Sequence, residues 1–168
     1  ANAAKKTHMP YAVERWPGGL LTNFSTIRKS VKKMTNIDKL MDDSAFSNIS
    51  KRERLQISRE RAKLEKNLGS ISDLTKMPAA LFIVDINKEH IAVAEARKLD
   101  IPTFAIVDSN TNPLLIDFPI PANDDAAKSI GLILDYISDA IIEGLNEKQA
   151  DQDYADSENE STIDSDIS

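Results

Sequence analysis

The chain contains no cysteine, which rules out a disulfide framework and any thiolate metal site and fits a reducing compartment. Its two histidines, His8 and His90, stand in no metal-ligand spacing. Glycine occurs five times, at positions 18, 19, 69, 131 and 144. These form neither GxGxxG nor GKS/T, so the phosphate-cradling loops of nucleotide enzymes are missing. No stretch approaches the roughly 20 apolar residues of a membrane span, and Ala1 to Pro10 has no apolar signal core. A soluble, cytosolic protein is expected.

What the chain does have is charge, unevenly placed. At 168 residues and 41% hydrophobic content it is long enough for one domain with an appendage and too short for two. The net charge of −6 conceals a division: residues 1–76 carry 16 Lys and Arg against 8 Asp and Glu, and residues 77–168 carry 5 against 19. Clustered cations gain affinity for nucleic acid by releasing phosphate counterions, so the first half is expected to meet a polyanion. The plainer reading of a single charge run is a solvated helical face. Its doubling on two adjacent helices favours RNA.

The run from Arg15 to Leu68 organises the rest. RWPGG at Arg15–Gly19 is a turn, its glycines permitting backbone angles that other residues resist, and Thr22 or Asn23 caps the helix that follows. In that helix Leu20, Phe24, Ile27, Val31 and Met34 recur at steps of four and three, the seam spacing of a coiled coil. Arg28, Lys29, Lys32 and Lys33 stand between them, so the opposite face is cationic. After the polar stretch Asp42–Asn48, Ser50 and Glu53 form a capping box that starts a second helix. Ile57, Leu64 and Leu68 make its apolar stripe; Arg52, Arg54, Arg59, Arg61, Lys63 and Lys66 cover much of the rest, and Gly69 is its stop. Residues 20–70 are therefore predicted to fold back as a basic helical hairpin. Ahead of it, residues 1–19 read as a helix ended by Pro10 and a short strand at Tyr11–Glu14. The sequence opens ANAAKKTHM, starting on Ala1 rather than methionine and inside that helical pattern, which predicts further chain ahead of it.

From Pro78 the period changes. Ala80–Val84 and Thr103–Val107 are continuous apolar runs, each followed by an aspartate, Asp85 and Asp108; such runs read as central parallel strands. Between them Asn87 caps a helix carrying Ile91, Ala92, Glu95, Ala96 and Leu99, giving a βαβ unit. A third strand at about Ile116–Ile120 leads to Asn123, which caps a helix with Asp124 and Asp125 in its first turn and Ile130, Ile133, Leu134, Ile137 and Ile141 on its apolar face. Gly144 is expected to end it, closing an α/β core over residues 71–146. From Glu147 to Ser168 there are eight acids and one base, which predicts an acidic disordered tail.

Four segments together resemble one family. RWPGGLLTNFSTIRKSVKKM at Arg15–Met34, RERAKLEKNLGSISDL at Arg59–Leu74, PAALFIVDINKEHIAVAEARKLDIPTFAIVDSNTNP at Pro78–Pro113 and IDFPIPANDDAAKSI at Ile116–Ile130 are similar, in order and spacing, to the ribosomal protein S-two family of the bacterial small subunit. The resemblance implies an α/β fold, a flavodoxin-like three-layer parallel sheet with an inserted α-helical coiled-coil hairpin. The sheet is partial here, because family members carry two early strands ahead of this point. It leaves Phe82, Val84, Phe104 and Ile106 with incomplete cover.

The resemblance further implies a cytoplasmic, ribosome-bound structural protein, with no enzyme activity, cofactor, membrane or small-molecule substrate. Its partners are small-subunit ribosomal RNA and neighbouring small-subunit proteins, including ribosomal protein S-one, which it helps recruit in translation. The residues themselves supply the candidate phosphate contacts: Arg15, Arg28, Lys29, Lys32, Lys33, Arg52, Arg59 and Lys63, with Trp16 and Asn23 positioning the turn or touching RNA. Such contacts read backbone and shape more than base identity. For Trp16, alone beside two glycines, a core anchor is the better reading.

A second class of function rests on the strand ends. Asp85 and Asp108, followed in the chain by Asn110, Asp124 and Asp125, stand where open α/β sheets place ligands. As a flavodoxin-like or receiver-like module they could hold a metal ion or act in phosphoryl chemistry. Helix capping and turn formation account for the same acids more simply.

Overall fold

The computed structural model describes residues 1–43, 46 and 48–165, those from 153 onward by backbone alone. Helix α1 is Asn2–Lys6, α2 is Phe24–Asp42 and α3 is Lys51–Leu68. Strand β1 (Leu81–Val84), helix α4 (His90–Lys98) and strands β2 (Thr103–Val107) and β3 (Phe118–Pro121) follow, and α5 runs from Ala127 to Ser165. The strands form one parallel sheet in the order β1-β2-β3. This is a mixed α/β fold consistent with part of a flavodoxin-like domain.

The chain divides into two compact units, one spanning Pro10–Ile130 and the other Asn2–Met9 with Gly131–Ser168. In the first, α2 and α3 pack on one another. The coiled-coil spacing explains part of the seam: Val31 and Met34 are buried, and Ile27 and Leu64 pack beside Val31 and Leu68. The same cluster takes in Leu20, Leu21, Ile71, Ala96 and Ile101, so the foot of the helical pair is rooted against α4. Ser50 Oγ accepts the Glu53 N–H at 3.3 Å, as the capping pattern requires. Residues 44, 45 and 47 of the predicted link lie outside the described residues.

A second cluster fills the space between α4 and the sheet with Ile83, Ile86, Ala92, Val93, Ala105, Val107 and Ile116. The alternation of strand side chains sends Phe82, Phe104 and Phe118, which are in register, to the other face. Phe104 and Phe118 stack at 4.5 Å between centroids and remain exposed. Phe82 and Val84 are half-buried, whereas Ile106 is fully enclosed. Incomplete cover therefore applies to all the named side chains except Ile106.

Several expected boundaries move. Leu20 precedes α2, which begins at Phe24, and the third strand forms at Phe118–Pro121 rather than Ile116–Ile120. Tyr11–Glu14 forms no strand; the Tyr11 N–H bonds the Ser70 carbonyl at 3.3 Å instead. Asp85, not Asn87, supplies the side-chain acceptor ahead of α4, taking the Lys88 N–H at 3.0 Å. Its left-handed backbone, φ 63°, turns the chain there, a conformation aspartate tolerates better than most. Gly144 does not stop α5, because one glycine inside a helix costs only about 1 kcal/mol and no proline or further glycine follows it. The predicted tail accordingly continues as α5 to Ser165, while residues 166–168 lie outside the described residues.

In the second unit, the Met9 N–H bonds the Ala4 carbonyl at 3.0 Å behind α1. Lys6 Nζ meets Asp135 Oδ1 at 3.0 Å.

Candidate nucleic-acid interface

The site begins at the turn before α2. Gly19 has φ +83°, the left-handed region where a side chain is strained. This bend aims the donors of the turn at one acid, Glu95 of α4. Its Oε1 accepts the Gly19 N–H at 2.7 Å and the Trp16 indole N–H at 3.3 Å. Its Oε2 accepts the Leu21 N–H at 2.9 Å, the Thr22 N–H at 3.0 Å and the Thr22 hydroxyl at 3.1 Å. Burial alone would push this carboxyl up. The amides of Thr22, Leu21 and Gly19 and the Trp16 indole outweigh it and hold the pKa below the usual carboxylate value. Trp16 is thus half-buried and committed inward. Asn23 lies exposed at the cap position of α2, without a side-chain cap bond.

The cations divide into two groups. Arg28 is half-buried, its Nη1 donating to the carbonyls of Ser72 at 3.3 Å and Leu74 at 3.1 Å. Lys33 pairs with Glu60 across the two helices. Arg61 bridges to Asp38 at 2.7 Å and to Glu65 at 3.3 Å, and Lys66 reaches Glu14 at 3.3 Å. The bond to Asp38 holds the Arg61 pKa above its ordinary value.

In contrast, Arg15, Lys29, Lys32, Arg52, Arg59 and Lys63 are exposed and form no ion pair among the described residues. Spacings of seven and four bring Arg52, Arg59 and Lys63 to one stripe of α3, away from the half-buried Ile57 and Leu64. On α2, Lys29 and Lys32 sit one turn apart, away from buried Val31 and Met34.

Sequence reasoning missed the part played by Glu95, grouping it with the apolar residues of its helix. The signal was there: a carboxylate one turn after Ile91 and next to Ala96 lies on a face that buries its neighbours, and a buried acid requires donors. Nothing in the pattern names the turn that supplies them.

The strand-end acids are drawn to one end of the sheet. Asp85 is buried and paired with Lys88 at 2.6 Å. Asp108 accepts the Ser109 N–H at 2.6 Å and the Asp124 N–H at 3.4 Å, and the amide of Ser109 leads the bonds that lower its pKa. Asp124 is only 5% exposed, and burial, then the charges of Asp85, Asp108 and Asp125, raise its pKa. Asn123 Oδ1 caps the turn before α5 by accepting the Asp125 and Ala126 N–H groups at 3.0 and 2.6 Å. Among the described residues no group of three or more His, Cys, Asp or Glu side chains is placed to hold a metal ion, and no helix is long and apolar enough to cross a membrane. Most of these polar groups form turns and caps, as the simpler reading held.

Comparison with known proteins adds an independent finding. Residues 1–144 match the family model described as Ribosomal protein S2. The chain is 63% identical over 152 residues to the small ribosomal subunit protein uS2 of Phocaeicola vulgatus, covering 90% of this chain and 54% of that one. It is 58% identical over 151 residues to the uS2 protein of Christiangramia forsetii, covering 90% and 50%. With the uS2 protein of Flavobacterium johnsoniae it shares 60% identity over 153 residues, covering 91% and 60%. The chain spans about half the length of these curated relatives.

Proposed function

The chain belongs to the ribosomal protein S2 family, and from that membership we propose that it is a structural constituent of the small ribosomal subunit that binds small-subunit ribosomal RNA. In this reading it is a cytoplasmic, ribosome-bound protein and not an enzyme. The observation that carries the RNA contact is the division among its cations. Carbonyls or carboxylates engage Arg28, Lys33, Arg61 and Lys66, while Arg15, Lys29, Lys32, Arg52, Arg59 and Lys63 remain outward and unneutralised among the described residues. Exposed cations spaced along a rigid helix suit phosphates, which fix register without reading sequence. Neighbouring small-subunit proteins complete the set of partners. Recruitment of ribosomal protein S-one is the finer part of the proposal, with the acid-rich second half as its candidate side.

Sedimentation of the full protein from lysate through a magnesium-containing gradient tests the assignment. Co-migration with the small subunit, lost on a high-salt wash, is expected. Slow sedimentation as free protein overturns it.

A further inference from the structure

We infer that Glu95, an acid that offers RNA nothing, is a positioning residue for the cationic face. This rests on the RNA-binding reading above and goes beyond it, since Glu95 touches no exposed cation. An unshielded carboxylate beside a phosphate-binding surface weakens binding by repulsion. Glu95 escapes this because it is buried and accepts five hydrogen bonds from Trp16, Gly19, Leu21 and Thr22. Those bonds fix the segment that launches α2, between Arg15 on one side and Lys29 and Lys32 on the other.

The flanking residues show why this point controls the rest. Leu20 and Leu21 are almost wholly buried in the cluster that also contains Ala96 of α4. The leucines hold the turn against α4, and the carboxylate fixes its orientation. Lys32 lies eight residues beyond Phe24, the start of α2, or about 12 Å along the helix, so a 10° swing at the turn displaces it by roughly 2 Å. That displacement is enough to break a phosphate contact. Because α3 packs on α2, the stripe of Arg52, Arg59 and Lys63 moves with it.

The test compares Glu95→Gln with Val93→Ala, a cavity in the same helix facing the sheet cluster. RNA stem–loop binding by the full protein is measured by fluorescence anisotropy at several salt concentrations, well below either variant's Tm. Glu95→Gln is expected to weaken binding about tenfold at 0.1 M salt and to reduce the salt slope by about one or two, as phosphate contacts are lost. Val93→Ala is expected to lower Tm while leaving the slope unchanged. Folded Glu95→Gln protein with wild-type affinity and slope overturns the proposal.

If Glu95→Gln does not fold, Thr22→Val, which removes only the hydroxyl donor, serves in its place. A twofold to threefold loss then supports the inference, and no change overturns it. Charge reversal at Lys29 and Lys32 without effect on binding identifies the RNA reading itself as the failure.

Discussion

Glu95 Oε2 accepts two hydrogen bonds from Thr22, one from its backbone N–H at 3.0 Å and one from its hydroxyl at 3.1 Å. The pair joins α4 to the foot of α2, across 73 residues of sequence. Glu95→Ala strips the acceptor from four neighbouring residues at once, leaving partly buried amides without a partner. A loss of about 3 kcal/mol is expected, since each orphaned donor costs about 1–3 kcal/mol and some regain water. The folded-state pKa of Glu95 lies below its ordinary value. Its contribution is therefore present above the unfolded pKa and lost as pH falls through the folded one. Urea titrations at neutral and acid pH check both statements: the gap between wild type and Glu95→Ala narrows on acidification, and a constant gap contradicts the assignment.

Arg28 is engaged by the chain itself, unlike the outward cations. Its Nη1 serves the carbonyls of Ser72 and Leu74, 44 and 46 residues away. Arg28→Ala is expected to lower stability by about 1–2 kcal/mol while leaving the salt dependence of RNA binding as it was. A salt slope reduced by about one assigns Arg28 to phosphate instead.

The contrast between Arg28 and Lys29 shows how far the sequence can be read. Periodicity placed both on the cationic side of α2, because at 100° per residue each lies off the apolar seam. Whether a long side chain then turns back to a carbonyl depends on the loop after α3, which periodicity does not see. The apolar runs at Leu81–Val84 and Thr103–Val107 were legible as parallel strands because a buried strand needs no information beyond its own hydrophobicity. Tyr11–Glu14 was not, since strand formation needs a neighbour with free hydrogen-bonding groups. Glu95 was hidden for a related reason. Its partners lie in a turn whose geometry depends on the single left-handed angle at Gly19.

Charge reversal distinguishes the outward cations from the paired ones. Lys29→Glu with Lys32→Glu places two acids where the described residues offer no ion pair. RNA affinity is expected to fall by about tenfold or more, uniformly across RNA sequences, and the salt slope by about two. Lys33→Glu instead faces Glu60 and is expected to lower Tm as well as affinity, because like charges now meet between the helices. Anisotropy and thermal unfolding on the same samples decide the matter. Equal Tm losses for both variants contradict the division.

Asp124 stands in the opposite electrostatic situation from Glu95. It is buried, its Oδ2 has no hydrogen-bond partner among the described residues, and Asp85 and Asp108 are close enough to raise its pKa further. The folded state therefore favours the protonated acid, so stability is fully present below the unfolded pKa and declines as pH rises through the folded one. Asp124→Asn removes the charge while keeping the shape. It is expected to raise Tm by about 2–4 °C at pH 7, a gain of about 1 kcal/mol for a chain of this size, and to have little effect near pH 3, where the wild-type acid is already neutral. Scanning calorimetry at the two pH values tests this. A loss of stability at pH 7 shows instead that the Asp124 charge is compensated by Lys88, whose ammonium also pairs with Asp85, and that the strand-end acids act together as one balanced cluster.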